Sequence, residues 1–185
     1  MFARTQRLLL RPGWPEDAPA LHSAINDAVT VGNLASAPWP YRLEDAESFL
    51  AIAPHALQPT FLIFRRTGGA PQLIGSIGFG RKDTPDLELG YWISRAHWGL
   101  GYATEAGHAV LDIAKSLGHR QMHAEHFVDN PASGNVLRKL GFCPTGRTAP
   151  RFSKGRNAKV QTVEFQISLT DDTDDECDAM RSLAA

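Results

Sequence analysis

The sequence lacks the features that mark several large classes of protein. It contains only 2 cysteines among 185 residues, and neither belongs to a Cys-x-x-Cys pair, so a disulfide framework and a cysteine zinc site are both disfavoured. No stretch approaches the roughly 18 consecutive apolar residues that a membrane-spanning helix requires. The amino terminus carries only the short apolar run Leu8–Leu10 between arginines. We therefore expect a cytoplasmic protein with no membrane partner.

A large excess of charge of either sign is also absent. The chain has 19 Lys and Arg against 20 Asp and Glu, a formal net charge of −1 at pH 7, which argues against a general nucleic-acid binder. Acidic residues are concentrated in residues 170–185, and without that segment 18 basic residues stand against 14 acidic ones. We expect residues 170–185 to form an acidic tail. The mildly cationic remainder suits a small polyanionic ligand or is an ordinary surface.

The composition is that of one globular domain, with 43% hydrophobic and 21% charged residues. Periodicity predicts strands at residues 7–11, 60–66, 72–80, 87–94, 121–128 and 160–169, and helices beginning near residue 16 and at 43–53, 104–117 and 131–140. Residues 29–41 are predicted to be a long loop. Short turn-forming connectors between the early strands favour antiparallel neighbours, so we predict a mixed α+β sheet.

A glycine-rich segment, Trp98 to Thr104 (WGLGYAT), precedes the longest predicted helix. Two glycines let the backbone turn tightly and bring its N–H groups close to a ligand, and the helix that follows adds the positive end of its dipole. The segment lacks the Gly-Lys-Ser/Thr ending of a P-loop, and Thr104 stands where the dinucleotide fingerprint has its third glycine. It therefore has the outline of a pyrophosphate-binding loop or is only a turn.

A second polar segment, Asn130 to Phe142 (NPASGNVLRKLGF), begins where a predicted strand passes into a helix. Asn130 and Ser133 place an amide and a hydroxyl group at that helix start. There each group can cap backbone N–H groups or face a ligand, so neither residue indicates a catalytic site by itself.

Taken together, ELGYWI, WGLGYATEA and NPASGNVLRKLGF resemble the GNAT superfamily of N-acetyltransferases, particularly the branch that includes RimJ and RimL. The resemblance covers roughly Arg7 to Leu169, so we expect an N-acetyltransferase domain at residues 5–169. It implies a mixed, mostly antiparallel twisted sheet that splays open between its fourth and fifth strands, with helices on both faces. Acetyl coenzyme A would enter the split as a cosubstrate. Relatives are often dimers, so a homodimer is compatible with the resemblance.

The resemblance also implies which residues hold acetyl coenzyme A. The pyrophosphate would be bound by backbone N–H groups of the glycine-rich segment, at Gly99, Leu100, Gly101, Tyr102, Ala103 and Thr104. The pantetheine arm would pair with a strand edge at Tyr91, Trp92 and Ile93 and would be bonded from the other side by Asn130.

Three residues are candidates for proton transfer. Leu137 occupies the place where many relatives have a tyrosine that protonates the leaving thiolate, so Ser133, where relatives in this branch have a serine, becomes the candidate acid. An amine must be neutral to attack a thioester, and a carboxylate within hydrogen-bond reach would help remove its proton. Glu88 is the first candidate base and Glu125 the second. For either glutamate, a solvent-facing or ion-paired strand residue is an equally good interpretation.

The histidines do not form a metal-binding pattern. His123 and Glu125 have the His-x-Glu spacing of a zinc deaminase, but no Pro-Cys-x-x-Cys follows them. On a strand, His123 and His126 point to opposite faces, so we expect no metal.

The sequence thus predicts direct acetyl transfer from acetyl coenzyme A to a primary amine in a ternary complex. The acceptor, a protein or peptide N-terminus or a small-molecule amine, would bind between residues 29–41, the second helix and residues 152–159. One alternative is a coenzyme A sensor or scaffold that does not catalyse. A remote alternative is a dinucleotide-dependent oxidoreductase, although Arg95–His97 separate the strand from the glycine-rich segment.

Overall fold

The computed structural model describes residues 1–81 and 87–170, so the predicted tail lies, apart from Thr170, outside the described residues. The described strands are β1 (Ala3–Arg4), β2 (Leu8–Arg11), β3 (Thr60–Arg65), β4 (Gln72–Gly80), β5 (Glu88–Ile93), β6 (Gln121–Phe127), β7 (Cys143–Ser153) and β8 (Ala158–Ser168). The α-helices are α1 (Ala18–Ile25), α2 (Ala28–Gly32), α3 (Leu43–Leu50), α4 (Tyr102–Ser116) and α5 (Pro131–Lys139).

These strands form one sheet in the order β1-β2-β3-β4-β5-β6-β8-β7. Neighbouring strands are antiparallel except β5 and β6, which are parallel. The predicted mixed, mostly antiparallel sheet is therefore confirmed. A doubly wound dinucleotide-binding fold needs successive parallel β-α units, and this strand order does not provide them.

The parallel pair of strands separates after a short contact. Its register joins only Glu88 with His123 and Leu89 with Ala124, although β5 continues to Ile93 and β6 to Phe127. The predicted opening between the fourth and fifth strands is thus confirmed. These strands are β5 and β6 in the structure, because the two-residue strand β1 precedes the predicted first strand.

The sheet buries apolar side chains on both faces. Along β3, Phe61 and Ile63 pack in one core with residues of α4 and α5, whereas Leu62 and Phe64 pack in a second core with residues of α1, α2 and α3. Successive side chains of a strand point to opposite faces, so the two cores define an α4 face and an α1–α3 face. The helices predicted on both faces are confirmed.

Besides the two-residue strand β1, the strand β7 and the helix α2 were not predicted from the sequence. β7 contains Pro144 and Pro150, which read as loop residues, but β7 is the edge of the sheet, where proline is tolerated. α2 occupies the start of the predicted loop at residues 29–41, so that prediction is wrong there. The Asp27 side chain caps this helix, since its Oδ1 accepts the Thr30 N–H at 2.8 Å.

In residues 1–81 and 87–170, no helix is long and apolar enough to cross a membrane.

Candidate active site

A cleft of about 1320 Å³ lies at the split between β5 and β6. On the α4 face it is lined by the glycine-rich segment and the start of α5, and on the α1–α3 face by residues 33–38 and α3. Every site residue predicted from the sequence lines this cleft except Leu100, whose side chain is exposed. The structure thus brings together residues that are up to 45 positions apart in the chain, from Glu88 to Ser133.

The glycine-rich segment turns through two left-handed glycines. Gly99 has a φ of 73° and Gly101 a φ of 79°, a region that residues with a Cβ rarely adopt. Gly101 is the N-cap of α4, and the first backbone N–H groups of a helix have no partner within it. A Cβ on Gly101 would lie 3.5 Å from Nη2 of Arg7. The loop therefore presents unpaired donors and a guanidinium group, which suits an anionic ligand.

The strand edge predicted to bind the pantetheine arm is open along most of its length. On its other side β5 pairs with β4 as far as Ile93, whereas its pairing with β6 ends at Leu89. One polar group of the edge is already engaged, because the indole N–H of Trp98 donates to the carbonyl oxygen of Ile93 at 2.6 Å. This contact was not predicted from the sequence.

Tyr91 reaches from β5 to the first turn of α5. Its phenol oxygen lies 2.7 Å from Oγ of Ser133, a contact in which either hydroxyl can be the donor, and 3.2 Å from the Ser133 carbonyl oxygen, which can accept the same phenol hydrogen. Burial raises the pKa of Tyr91 to about 12, against a smaller opposing effect of the Ser133 hydrogen bond, so the phenol stays protonated at neutral pH. The role predicted for Tyr91 from the sequence concerned its backbone, and the contact of its hydroxyl group was missed.

Asn130 and Leu137 flank Ser133 along α5 and are placed differently. The Asn130 side chain caps the helix by accepting the Ser133 N–H at 3.4 Å, which leaves its amide nitrogen available to the cleft. Leu137 is completely buried in the core of the α4 face. Ser133 is therefore the hydroxyl-bearing residue that α5 presents to the cleft.

The two candidate bases share one cation. Nη1 of Arg151 lies 3.1 Å from both carboxylate oxygens of Glu88 and also pairs with Glu125. Thr162 Oγ1 donates to Glu125 at 2.8 Å. The three charged side chains are only 20 to 23% exposed. Both glutamates are thus ion-paired, one of the interpretations open at the level of sequence, and both lie on the α1–α3 face beside the split.

Arg151 was missed by sequence analysis because it lies on the unpredicted strand β7. An arginine between a proline and a phenylalanine does not predict a strand, and its distance in sequence from Glu88 gives no sign of contact. Only the order β6-β8-β7 brings it over Glu125.

The segments predicted to bind an acceptor surround the cleft on the α1–α3 face. The turn between β7 and β8 is held against the loop after α2, because Ser153 Oγ donates to the Leu34 carbonyl and the Lys154 N–H to the Ala35 carbonyl, both at 2.9 Å. Tyr41 closes the cleft beside α3. Burial, with a contribution from the charge of Asp45, raises the pKa of Tyr41 to about 12. The Tyr41 phenol is therefore uncharged at neutral pH.

Within the described residues, no group of three or more His, Cys, Asp or Glu side chains is arranged to hold a metal ion. His123 instead lies with its Nδ1 3.3 Å from Oε1 of Glu164. His126 packs against Gly134 of α5, where a Cβ would approach its Nε2 to 2.6 Å.

Comparison with known proteins agrees with this geometry. The family model for the acetyltransferase (GNAT) domain matches residues 7–143. An uncharacterized N-acetyltransferase of Bacillus subtilis, YoaA, is 32% identical over 155 residues, which are 77% of this chain and 82% of the relative. A ribosomal-protein-serine acetyltransferase of Escherichia coli is 34% identical over 89 residues, 46% of this chain and 48% of the relative.

The fold is shared with RimL, a ribosomal α-N-protein acetyltransferase whose structure contains coenzyme A. The two chains are 19% identical and superpose with a TM-score of 0.75 over 91% of this chain and 98% of RimL. The resemblance to the RimJ and RimL branch predicted from the three motifs is supported by these likenesses. The chain belongs to the GNAT family of acetyltransferases.

Proposed function

We propose that this acetyltransferase moves the acetyl group of acetyl coenzyme A directly to a primary amine while both substrates are bound. The observation that carries the proposal is the split between β5 and β6, which connects the glycine-rich loop on the α4 face with the carboxylates on the α1–α3 face. A thioester arm that enters from one face would meet an amine that enters from the other. This arrangement favours transfer in a single complex without a covalent enzyme intermediate.

The residues fit coenzyme A at three places. Gly99 and Gly101 have left-handed backbone conformations and no side chains, so a ligand can reach the backbone N–H groups of Leu100 and of Tyr102–Thr104. These groups would bind the diphosphate. The edge of β5 at Tyr91–Ile93 would pair with the amide groups of the pantetheine arm, and the amide nitrogen of Asn130 would donate to it from α5. Bound in this way, acetyl coenzyme A supplies an acetyl group activated as a thioester.

Ser133 would return a proton to the departing sulfur. Its hydroxyl group faces the cleft at the start of α5, and the protonated phenol of Tyr91 lies 2.7 Å from its oxygen. The single phenol hydrogen can point to the Ser133 carbonyl oxygen or to Oγ. When it points to Oγ, the hydrogen of Ser133 is left to point away from Tyr91 and toward a ligand. Hydrogen-bond donation to a hydroxyl oxygen also strengthens the hydroxyl as a donor.

Glu88 would take the proton from the amine, with Glu125 as the second candidate. Together with Arg151 the two carboxylates carry a formal charge of −1, which attracts the ammonium form in which a primary amine arrives at neutral pH. Glu88 lies on β5, the strand whose open edge would pair with the pantetheine arm, one residue before the last register pair with β6, Leu89 with Ala124. Arg151 would hold both carboxylates in place while one of them accepts the proton.

A protein or peptide N-terminus is our first choice of acceptor. Two relatives, the ribosomal-protein-serine acetyltransferase and RimL, carry names that state protein substrates. The α1–α3 side of the cleft is formed by a loop, a helix and a hairpin turn, which can contact residues of a peptide beyond the reacting amine.

The test is a panel of amines offered with acetyl coenzyme A to the purified chain. The panel contains peptides with free α-amines, a polyamine, free amino acids and an aminoglycoside, and each peptide is paired with a copy whose N-terminus is already blocked. We expect release of free thiol, and a mass gain of one acetyl group, with the peptides that have a free α-amine and not with their blocked copies or the small amines. Binding of coenzyme A without turnover on any amine would overturn the catalytic proposal in favour of a sensor, and transfer to a small amine alone would overturn the choice of acceptor.

A further inference from the structure

The first turn of α4 contains one acidic side chain, Glu105, close to the loop that would bind a diphosphate. A carboxylate at a helix N-terminus is favourable for the helix itself, but it repels a bound anion. Burial opposes its ionisation, yet hydrogen bonds from Thr5 and from the backbone and side chain of Arg7 lower the pKa of Glu105 below its ordinary value. Glu105 is therefore a fixed negative charge beside the proposed anion site.

The charge of Glu105 is paired with an arginine from the amino-terminal end of the chain, Arg7. Nε of Arg7 lies 2.6 Å from Oε2 of Glu105, and the Arg7 backbone N–H and the Thr5 hydroxyl donate to Oε1 at 2.8 and 2.6 Å. Every donor comes from the segment between β1 and β2. The segment thus neutralises a charge that lies nearly a hundred residues further along the chain.

Arg7 also contacts the glycine-rich loop directly. Its Nη1 donates to the Leu100 carbonyl oxygen at 2.9 Å, and its guanidinium carbon lies 4.6 Å from the centre of the Tyr102 ring. Its Nη2 faces Gly101, where a Cβ would come within 3.5 Å. One side chain therefore engages a carbonyl oxygen of the loop, stacks on the first helical residue and cancels the charge of Glu105.

We propose that Arg7 is a charge-setting and positioning residue of the coenzyme A site, acting through its ion pair with Glu105. This inference rests on the proposed function, because it assumes that the loop binds the diphosphate. Loss of Arg7 leaves the Glu105 carboxylate uncompensated against the diphosphate and releases the Leu100 carbonyl. Loss of both charges together restores the electrostatic balance but not the hydrogen bond to the loop.

The test measures coenzyme A affinity by isothermal titration calorimetry, which needs no acceptor. Arg7→Gln should weaken binding roughly tenfold, as for the loss of hydrogen bonds that involve charged groups. Arg7→Gln combined with Glu105→Gln should recover most of the loss. The matched control is Arg4→Gln, which removes the same charge from an exposed residue of β1 and should leave the affinity unchanged. Because both charges of the pair are partly exposed, the defect of Arg7→Gln should shrink as ionic strength rises.

Pantetheine, which has no diphosphate, separates a charge effect from a loss of structure. The affinity for pantetheine, measured by nuclear magnetic resonance, should be the same in Arg7→Gln and in the unmodified chain. Arg7→Lys keeps the charge, so its affinity for coenzyme A should lie between those of Arg7→Gln and the unmodified chain. Equal weakening of pantetheine and coenzyme A, or no recovery in the double variant, would overturn the inference. If the unmodified chain binds no coenzyme A, the proposed function fails. If the unmodified chain and Arg7→Gln bind it equally, only the role of Arg7 fails.

Discussion

Ser133 combines a structural and a proposed chemical role that can be separated atom by atom. Its backbone N–H is held by the side chain of Asn130, so the cap of α5 does not depend on the hydroxyl group. The hydroxyl oxygen contacts Tyr91, whose raised pKa keeps it a hydrogen-bond donor. Removing the hydroxyl alone therefore tests the chemistry without removing the cap.

Ser133→Ala should lower kcat by about a hundredfold, the usual scale for a general acid, while the affinity for coenzyme A changes little. The cap and the diphosphate loop are both untouched by this substitution. Thiol release with saturating acetyl coenzyme A and the accepted amine measures kcat, and calorimetry measures affinity.

Ser116→Ala is the control for this prediction. Ser116 lies at the end of α4 and its hydroxyl donates to the Asp112 carbonyl at 2.8 Å, so its loss should leave kcat unchanged. If Ser133→Ala also keeps full turnover, the serine has no part in proton transfer.

At the scale of single residues, motif positions were predictable and their long-range partners were not. Glycines before a helix and an asparagine at a helix start have local chemistry that sequence reveals. The pairing of Arg151 with Glu88 and Glu125, and of Arg7 with Glu105, depends on which strands and helices lie side by side. Nothing in the immediate neighbourhood of Arg151 or Arg7 specifies that contact.

At the scale of elements, a buried ion pair joins β2 to the start of α1. Arg11 donates through two nitrogens to the two carboxylate oxygens of Asp17, each at 2.7 Å, and Asp17 also accepts the Trp14 N–H at 2.8 Å. The guanidinium group stacks on the rings of Trp14 and Phe64. This pair fixes how the chain leaves the sheet and enters the first helix of the α1–α3 face.

Asp17→Asn should reduce the free energy of unfolding by about 2 kcal/mol at neutral pH, because a buried arginine loses its ionised partner. Burial opposes ionisation of Asp17, but the hydrogen bonds from Arg11 and Trp14 together with the Arg11 charge lower its pKa below 3.8. A lowered carboxylate pKa adds stability above the unfolded value and loses it as pH falls through the folded value.

The difference between the unmodified chain and Asp17→Asn should therefore be complete above about pH 5 and shrink below pH 4. Urea unfolding at a series of pH values measures it. Glu16→Gln, at the exposed neighbouring position, should show no such difference. A gap between the two curves that stays constant down to pH 3 would assign the loss to packing rather than to charge.

Elements with strong periodicity were predicted to within a few residues, and the exceptions have a common cause. α4 shows helical spacing over its whole length, and β3 and β4 are apolar runs between turn residues. β7 and α2 violate local preferences, the first by its two prolines and the second by the run Val29–Val31 of β-branched residues. Tertiary contacts stabilise both: pairing with β8 at a sheet edge, and burial of Thr30 and Val31.

At the scale of the whole molecule, Arg156 connects the two sides of the cleft. From the turn between β7 and β8 it donates to the Gly32 carbonyl at the end of α2 and pairs with Asp129, the residue before Asn130. The hydrogen bond from Arg156 is the main reason that the pKa of Asp129 lies below its ordinary value. Arg156 thus holds the turn between β7 and β8 and the end of α2, which border the proposed acceptor site, against the residue before Asn130. Asn130 is the proposed hydrogen-bond donor to the pantetheine arm.

Arg156→Met should lower the midpoint of thermal unfolding by roughly 3 °C and loosen the loop after α2. The Lys154 amide, which donates to the Ala35 carbonyl, should exchange its hydrogen faster by mass spectrometry or nuclear magnetic resonance. Lys159→Met, which removes one positive charge from an exposed residue of β8, should alter neither the midpoint of thermal unfolding nor the exchange at Lys154. Unchanged exchange at Lys154 would mean that the turn is held without Arg156.

Residue order alone was sufficient to predict the fold class, the glycine-rich turn into α4, the capped start of α5 and the family to which they are similar. These features follow from neighbours within a few positions, where backbone preferences and helix-end chemistry act. The placement of Glu88, Glu125 and Arg151 around one point, and of Arg7 beside Glu105, came only from the folded chain. Such contacts depend on strand order and register, which are decided by how two apolar cores are buried on opposite faces of the sheet.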